Sequence, residues 1–326
     1  DGIQAHTKTI WKLLQTYQIP TFIFVNKMDS TYSTKEQLLQ NIQKELNENC
    51  FAIDENFYEN ISLLNDELLE KYLNQQMKQE DIQKVNELIE NNKDKVFYKN
   101  RLEKNVNRKG IISEKERIWK SIVVCLLTSQ QNSSAESPIS RFSGLKPFPM
   151  ELEACKLQSK NLEKFIAKKL KDFGGIRFYD RIANLLTKNF EYLEKSNWKI
   201  FDEISKILTE KNDVRSQIQA ERECAKKIQD NLKGFGPKQS RNLLQILGLT
   251  IYEIPIDSRI AKWLNTKLEF PLTVSSITLQ DLNFYNFVSD AIQNLCEKSN
   301  VKPCLFDASV FIEGDKGEWT LENSIF

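Results

Sequence analysis

A chain of 326 residues has room for two domains and a sizeable core, and it contains no run near the ~18 apolar residues of a membrane span. It carries six scattered cysteines with no CxxC pair and a single histidine, His6, which argues against zinc, iron–sulfur and two-histidine metal sites and leaves catalysis to Lys, Asp or Glu, with no metal and no cofactor expected. The net charge of +1 hides an asymmetry: residues 1–80 hold 7 Lys and Arg against 12 Asp and Glu, and residues 81–326 hold 39 against 33, a mildly basic balance compatible with a nucleic-acid partner.

In chain order, Ile3, Ile10, Leu13, Leu14 and Tyr17 lie near helical spacing, which predicts a helix over 3–18. Pro20 ends it, and Thr21-Phe22-Ile23-Phe24-Val25 reads as a short buried parallel strand. Two polar helices follow over roughly 34–48 and 58–74. Residues 77–110 are rich in Gln, Asn, Lys and Glu and read as a linker or peripheral helix. From Glu114 onward helices dominate, predicted over 115–128, 159–171, 176–195, 199–210, 215–232, 238–247, 257–267 and 279–298. Gly174-Gly175, Gly248 and proline-containing turns punctuate them. The opening residues lack a signal-peptide pattern, so a cytoplasmic, intracellular location is expected.

The residues after the predicted strand are Asn26-Lys27-Met28-Asp29, an N-K-x-D motif at the strand's C-terminal end, where ligands sit in open α/β sheets. In this motif the Asp accepts two hydrogen bonds from guanine, while the Asn and Lys shape the pocket. Together with Asp1-Gly2-Ile3-Gln4-Ala5-His6-Thr7 and a likeness that continues to about Asn74, the segment resembles translational GTPases of the tetracycline-resistance ribosomal-protection type. The chain contains no G-x-x-x-x-G-K-[ST] loop, so the phosphates lack their cradle and magnesium its hydroxyl. Residues 1–76 therefore read as a partial α/β GTPase-like fragment in which Asn26, Lys27 and Asp29 are vestigial.

A second constellation begins at Leu232-Lys233-Gly234-Phe235-Gly236-Pro237-Lys238. Closely spaced glycines between two helices permit a tight hairpin whose N–H groups, with the N-terminus of the second helix, make a phosphate seat. Such a grip positions DNA without reading bases, which marks Gly234, Phe235 and Gly236 as DNA-binding candidates. Leu232 is expected to pack on Leu243 and Leu244. Nineteen residues after Lys238, Ile254-Pro255-Ile256-Asp257 places a carboxylate at the start of the next helix, where Asp is also a favoured cap.

The Lys238-to-Asp257 spacing and the Ile254–Asp257 sequence resemble the helix-hairpin-helix GPD superfamily of DNA glycosylases, and the lysine resembles that of its 8-oxoguanine glycosylase/AP lyase branch. The likeness covers about residues 110–310 and includes Trp119 to Gln131 and Gly175-Ile176-Arg177-Phe178-Tyr179. It implies a mainly α fold over residues 111–326, with Lys238 as Schiff-base nucleophile and Asp257 as transition-state stabiliser. It also implies double-stranded DNA carrying a damaged base or abasic site as partner, bound by a monomer that flips the base. Gln130, Gln131 and Asn132 are the candidates for the gap this leaves. Asn242 stands where the eukaryotic 8-oxoguanine branch has a cysteine, and Phe306 is a candidate for stacking on the base, with the core as its other destination. The resemblance thus implies a glycosylase/AP lyase for an oxidised purine. The alternatives are a non-catalytic helix-hairpin-helix DNA-binding protein and a remnant of a GTP-binding translation factor.

Overall fold

The computed structural model describes residues 3–17, 21, 23, 25, 34–53, 79–129, 134–209, 213–268 and 273–314. The chain divides into a smaller unit, residues 1–78 with 269–274, and a larger one, residues 79–268 with 275–326. Among the described residues every regular element is helical, and no helix is long and apolar enough to cross a membrane.

In the smaller unit, α1 spans Ala5–Thr16 and α2 spans Lys35–Glu45. Thr34 opens α2 with a reciprocal cap: its hydroxyl accepts from the Gln37 amide at 3.3 Å and its own amide donates to the Gln37 side chain at 3.0 Å. Lys8 of α1 pairs with Glu45 of α2. Of the strand predicted over 21–25, Thr21, Ile23 and Val25 lie in no regular element, and Phe22 and Phe24 fall outside the described residues. So do the helix predicted over 58–74 and the guanine-reading candidates Asn26, Lys27 and Asp29.

The larger unit runs through thirteen described α-helices. These are α3 (Gln79–Asn92), α4 (Val96–Arg101), α5 (Lys115–Leu127), α6 (Pro138–Ser143), α7 (Leu152–Leu157), α8 (Leu162–Phe173) and α9 (Tyr179–Lys195). They continue with α10 (Lys199–Thr209), α11 (Val214–Asn231), α12 (Pro237–Ile246), α13 (Ser258–Lys267), α14 (Leu282–Lys298) and α15 (Pro303–Gly314). Helix α5 is the centre of the core. Ile118, Trp119, Ile122, Val123, Cys125, Leu126 and Leu127 are all buried, so it is apolar on nearly every side, as a helix surrounded by others must be. Helices α9 and α12 pack on it, and α11 packs on α12. Leu232, Leu243 and Leu244 join the same core as expected.

Residues 79–106 form α3, α4 and a π-helical turn over Leu102–Val106 that continues α4. Their apolar side faces α15, where Phe97 stacks on Phe311 with ring centroids 4.6 Å apart. A sequence this polar still supplies Val85, Leu88, Phe97 and Tyr98, which the fold buries. The polar residues of the π-turn, with Arg108 just beyond it, have their own task, because the last carbonyls of any helix lack intrahelical donors. Lys104 donates to Ile246 O at 3.2 Å, Asn105 to Gln245 O at 3.1 Å and Arg108 to Gly248 O at 2.9 Å. The segment therefore caps the C-terminus of α12. Burial, with Arg101 and Arg117 adding repulsion, brings the Lys104 ammonium down to about 8.

Candidate nucleic-acid and catalytic site

Helix α11 starts at Asp213, whose carboxylate accepts from the Ser216 amide at 2.9 Å, and it buries the stripe Ala220, Cys224, Ala225 and Ile228. It stops at Leu232, where the backbone becomes extended. The chain then turns through Gly234 at φ +84° and re-enters a helix at Pro237, with Gly236 as the cap residue. The two glycines differ. A Cβ on Gly234 would lie 2.9 Å from both Leu126 Cδ2 and Leu185 Cδ1, so the positive φ and the close packing each demand glycine. A Cβ on Gly236 would meet nothing within 4 Å, and its φ of −87° suits any residue. Gly236 therefore borders open space at the start of α12.

Phe235 is 3% exposed and belongs to the core, so among the DNA-binding candidates it has only its backbone to offer. Its ring locks the turn to the helices behind it. From α9, the fully buried Asn189 completes the lock by accepting from Lys233 N–H at 2.6 Å and donating to Lys233 C=O at 3.0 Å.

Lys238, the second residue of α12, is partly exposed. Its charge reaches Cys125 on α5: burial pushes the Cys125 thiol up to about 12, and Lys238 opposes the rise. Asn242, one turn further along α12, is 5% exposed and spends its amide inside the protein. It donates to Cys125 Sγ at 3.6 Å and to Gln239 Oε1 at 3.2 Å. Lys238, Cys125 and Asn242 are thus one neighbourhood, formed where α12 crosses α5.

Asp257 caps α13. Its Oδ1 accepts from the amides of Arg259 at 2.8 Å and Ile260 at 3.1 Å, and its Oδ2 accepts from the Arg259 guanidinium at 3.1 Å. The carboxylate is 24% exposed, so it reaches solvent while serving as a cap. Behind it, Asp307 of α15 is raised to about 6, first by burial, with the Asp257 charge adding to the rise and Arg101 opposing it. Gln245 donates to Asp307 at 2.6 Å, linking α12 to α15.

The loop between α12 and Asp257 is held from below. Buried Glu221 on α11 accepts from three consecutive amides, Ile251 at 2.9 Å, Tyr252 at 2.8 Å and Glu253 at 2.9 Å. Burial outweighs those bonds and raises Glu221 to about 7. Glu253 is fully buried, which would raise its pKa, but Arg241 and Arg222 prevail and hold the carboxyl below its ordinary value. The Arg241 bond is 2.5 Å and the Arg222 bond 2.7 Å.

Phe306 is fully buried, edge-on to Trp263 with centroids 5.0 Å apart. It is a core residue and presents no face to a flipped base. Gln130, Gln131 and Asn132 lie outside the described residues. Among the described residues no group of three or more His, Cys, Asp or Glu is placed to hold a metal ion. Asn189, Glu221, Arg241, Glu253 and Tyr285 escape sequence reasoning because a buried polar residue on an apolar stripe has no periodic signature of its own. Only Glu221, interrupting the run from Ala220 to Ala225, leaves a trace.

The family model of the elongation factor Tu GTP binding domain matches residues 1–195. Curated relatives include elongation factor G of Mycoplasma pneumoniae, 42% identical over 45 residues, and elongation factor G of Mycoplasma genitalium, 40% identical over 45 residues. Each match takes in 14% of this chain, which spans only 6% of the length of those relatives. The family match continues past residue 78 into α3–α9, whose described residues are helical elements and turns of the larger unit. Solved structures give the fold. The 8-oxoguanine DNA glycosylase of Methanocaldococcus jannaschii superposes with a TM-score of 0.52 at 18% identity, covering 73% of this chain and 95% of that one. The same archaeon's 8-oxoguanine glycosylase/lyase in complex with a 15mer DNA containing 8-oxoguanine gives 0.51 at 17% identity, covering 73% and 99%. The 8-oxoguanine DNA glycosylase of Thermotoga maritima gives 0.50 at 14% identity, covering 73% and 98%. The mainly α glycosylase fold expected from the hairpin is the fold observed.

Proposed function

We propose, for a chain that belongs through residues 1–195 to the elongation factor Tu GTP binding domain family and shares its fold with 8-oxoguanine DNA glycosylases, that the larger unit is a DNA glycosylase with abasic-site lyase activity. The observation that supports the reading is that two solvent-reaching groups stand at helix starts, Lys238 opening α12 after the hairpin and Asp257 capping α13. Each is backed by a buried polar lattice that fixes the chain around it.

The hairpin amides around Gly236 seat a phosphate of double-stranded DNA, and the damaged nucleotide is turned out of the stack. As the bond from C1′ to the base breaks, the base leaves with the electron pair and positive charge grows on the sugar. Asp257 stabilises that charge. The Lys238 nitrogen bonds to C1′ through its lone pair, its proton passes to the ring oxygen O4′ as the C1′–O4′ bond breaks and the sugar ring opens, and a Schiff base results. Loss of the 2′ proton then expels the 3′ phosphate. An oxidised purine of the 8-oxoguanine kind is the proposed substrate. Asn242 alters the pocket relative to the cysteine of the eukaryotic branch, with its amide directed at Cys125.

The test is borohydride trapping with an abasic duplex. Wild type is expected to form a covalent adduct and to nick the strand, and Lys238→Gln to do neither. Binding without any adduct or nicking by wild type would refute the lyase, and a further absence of base release from lesion duplexes would leave a non-catalytic hairpin protein. The family match favours a second reading for the smaller unit, guanine recognition through Asn26, Lys27 and Asp29 without hydrolysis. Calorimetric titration with GTP decides it, and an absence of heat at micromolar concentrations would end it.

A further inference from the structure

Helix α14 reaches both of the proposed reactive groups through stacked side chains of the larger unit. The Tyr285 hydroxyl accepts from Ile256 N–H at 2.6 Å and donates to Ile254 C=O at 3.0 Å, clamping the backbone on both sides of Pro255 and ending one residue before Asp257. On the Tyr285 ring lies the guanidinium of Arg241, 4.4 Å from the ring centroid. Arg241 is 1% exposed, and its three nitrogens have three different partners. Nε donates to Glu253 at 2.5 Å, Nη1 to Pro237 C=O at 3.1 Å and Nη2 to Asn286 at 2.9 Å. Pro237 immediately precedes Lys238. One stacked pair therefore grips the residue before the amine with its cation and the residue before the carboxylate with its phenol.

We propose that Tyr285 and Arg241 are positioning residues that set the amine and the carboxylate independently, Tyr285 acting on Asp257 and Arg241 on Lys238. This rests on the glycosylase/lyase reading above. The phenol is spent wholly on the Ile254–Ile256 segment, and a buried hydrogen bond of this kind defines backbone geometry more tightly than apolar packing does. Because reacting groups must be held to a fraction of an ångström, a small relaxation at either grip lowers rate before it lowers stability.

The two grips are separable by conservative changes in the full chain. Tyr285→Phe keeps the ring under the guanidinium and removes only the hydroxyl. Arg241→Lys keeps a cation facing Glu253 and removes the planar fork that reaches Pro237 and Asn286. Single-turnover base release from an oxidised-purine duplex reports on Asp257, and borohydride adduct formation with a ready-made abasic duplex reports on Lys238. Tyr285→Phe is expected to slow base release about 10-fold or more and leave the adduct rate within about two-fold, which on the rate scale is about 1.4 kcal/mol placed on one step only. Arg241→Lys is expected to slow adduct formation by at least that factor. Hydrogen exchange gives a reading independent of activity: Tyr285→Phe should accelerate exchange at the Ile256, Arg259 and Ile260 amides and leave the amides of α5 unchanged. Equal loss of both activities in both variants, or exchange accelerated throughout the larger unit, would reduce the pair to a stability role and overturn the proposal. Unchanged exchange at Ile256 would overturn it as well. If wild type shows neither base release nor adduct, the catalytic reading falls by itself, and the exchange result alone still decides whether Tyr285 holds the Asp257 backbone.

Discussion

The two hairpin glycines predict opposite consequences for the same added methyl. At Gly234 the backbone has φ +84°, where an alanine costs about 1–2 kcal/mol. Its Cβ would also stand 2.9 Å from Leu126 and Leu185, and inserting a methyl into a packed core costs about 1–3 kcal/mol. Both contacts are ends of leucine side chains that give way in part, so Gly234→Ala is expected to lose roughly 2–4 kcal/mol of stability, a large share of the ~5–15 kcal/mol of an ordinary domain. Gly236→Ala meets no atom within 4 Å and no forbidden φ. It loses only the slight preference of glycine over alanine as a cap, under about 1 kcal/mol. The methyl nevertheless projects into open space at the start of α12, beside the proposed phosphate seat. Denaturant unfolding followed by tryptophan fluorescence, alongside fluorescence anisotropy with a labelled duplex at two salt concentrations, separates the cases. Gly236→Ala should unfold within about 1 kcal/mol of wild type and bind DNA at least about 10-fold more weakly, about 1.4 kcal/mol. A Gly234→Ala protein as stable as wild type would refute the packing argument. A Gly236→Ala protein that binds DNA normally would refute the phosphate seat.

Asp257→Asn keeps an oxygen acceptor for the Arg259 and Ile260 amides and removes the charge, so base release should slow at least 100-fold while unfolding shifts by less than about 1 kcal/mol; equal loss of duplex binding would mark a purely structural cap. Glu221 has its pKa raised from an ordinary 4.5 to about 7, so the native state holds its proton to a higher pH than the unfolded chain. Its contribution to stability is therefore fullest below about pH 4.5 and is lost as pH rises to about 7, by up to about 3 kcal/mol. The unfolding free energy of wild type minus that of Glu221→Gln should fall accordingly between those values, and a flat or rising difference would contradict the burial argument. Asn189→Leu removes both side-chain bonds to Lys233 and should cost about 1–3 kcal/mol and raise exchange at the hairpin amides, with α15 unaffected as the internal control.

The helices were legible where apolar spacing and punctuation agreed. Val214–Asn231, Pro237–Ile246 and Ser258–Lys267 fall within about a residue of the spans expected, because Asp213, Gly236-Pro237 and Asp257 are local caps that need no tertiary partner. The fold of α3 and α4 was obscured for the opposite reason. Few apolar residues suffice there because α15 meets them with Phe311 and Ala308, and that partner stands some 200 residues later in the chain. Phe235 shows the same limit within the site. Its place between two glycines points toward a ligand, but its ring turned inward to the core, since an aromatic that can be buried contributes more there than in water. Phe306 was likewise open to two readings, and Trp263 placed it in the core.

By itself the sequence determined the hairpin, the amine that opens its second helix and the carboxylate that caps the next. All three follow from local rules: glycine for a positive φ, proline at a helix start and aspartate at a cap. The tertiary structure alone decided what holds the chain around those groups. It set Asn189 against Lys233, Arg241 between Pro237 and Glu253, and Tyr285 beneath Ile254 and Ile256. These contacts join positions separated by up to 44 residues, and the side chains that make them, Asn189, Arg241 and Tyr285, are buried. Apart from the Arg241–Pro237 bond within α12, such bonds are dictated by the packing of α9, α12 and α14, which no local pattern encodes.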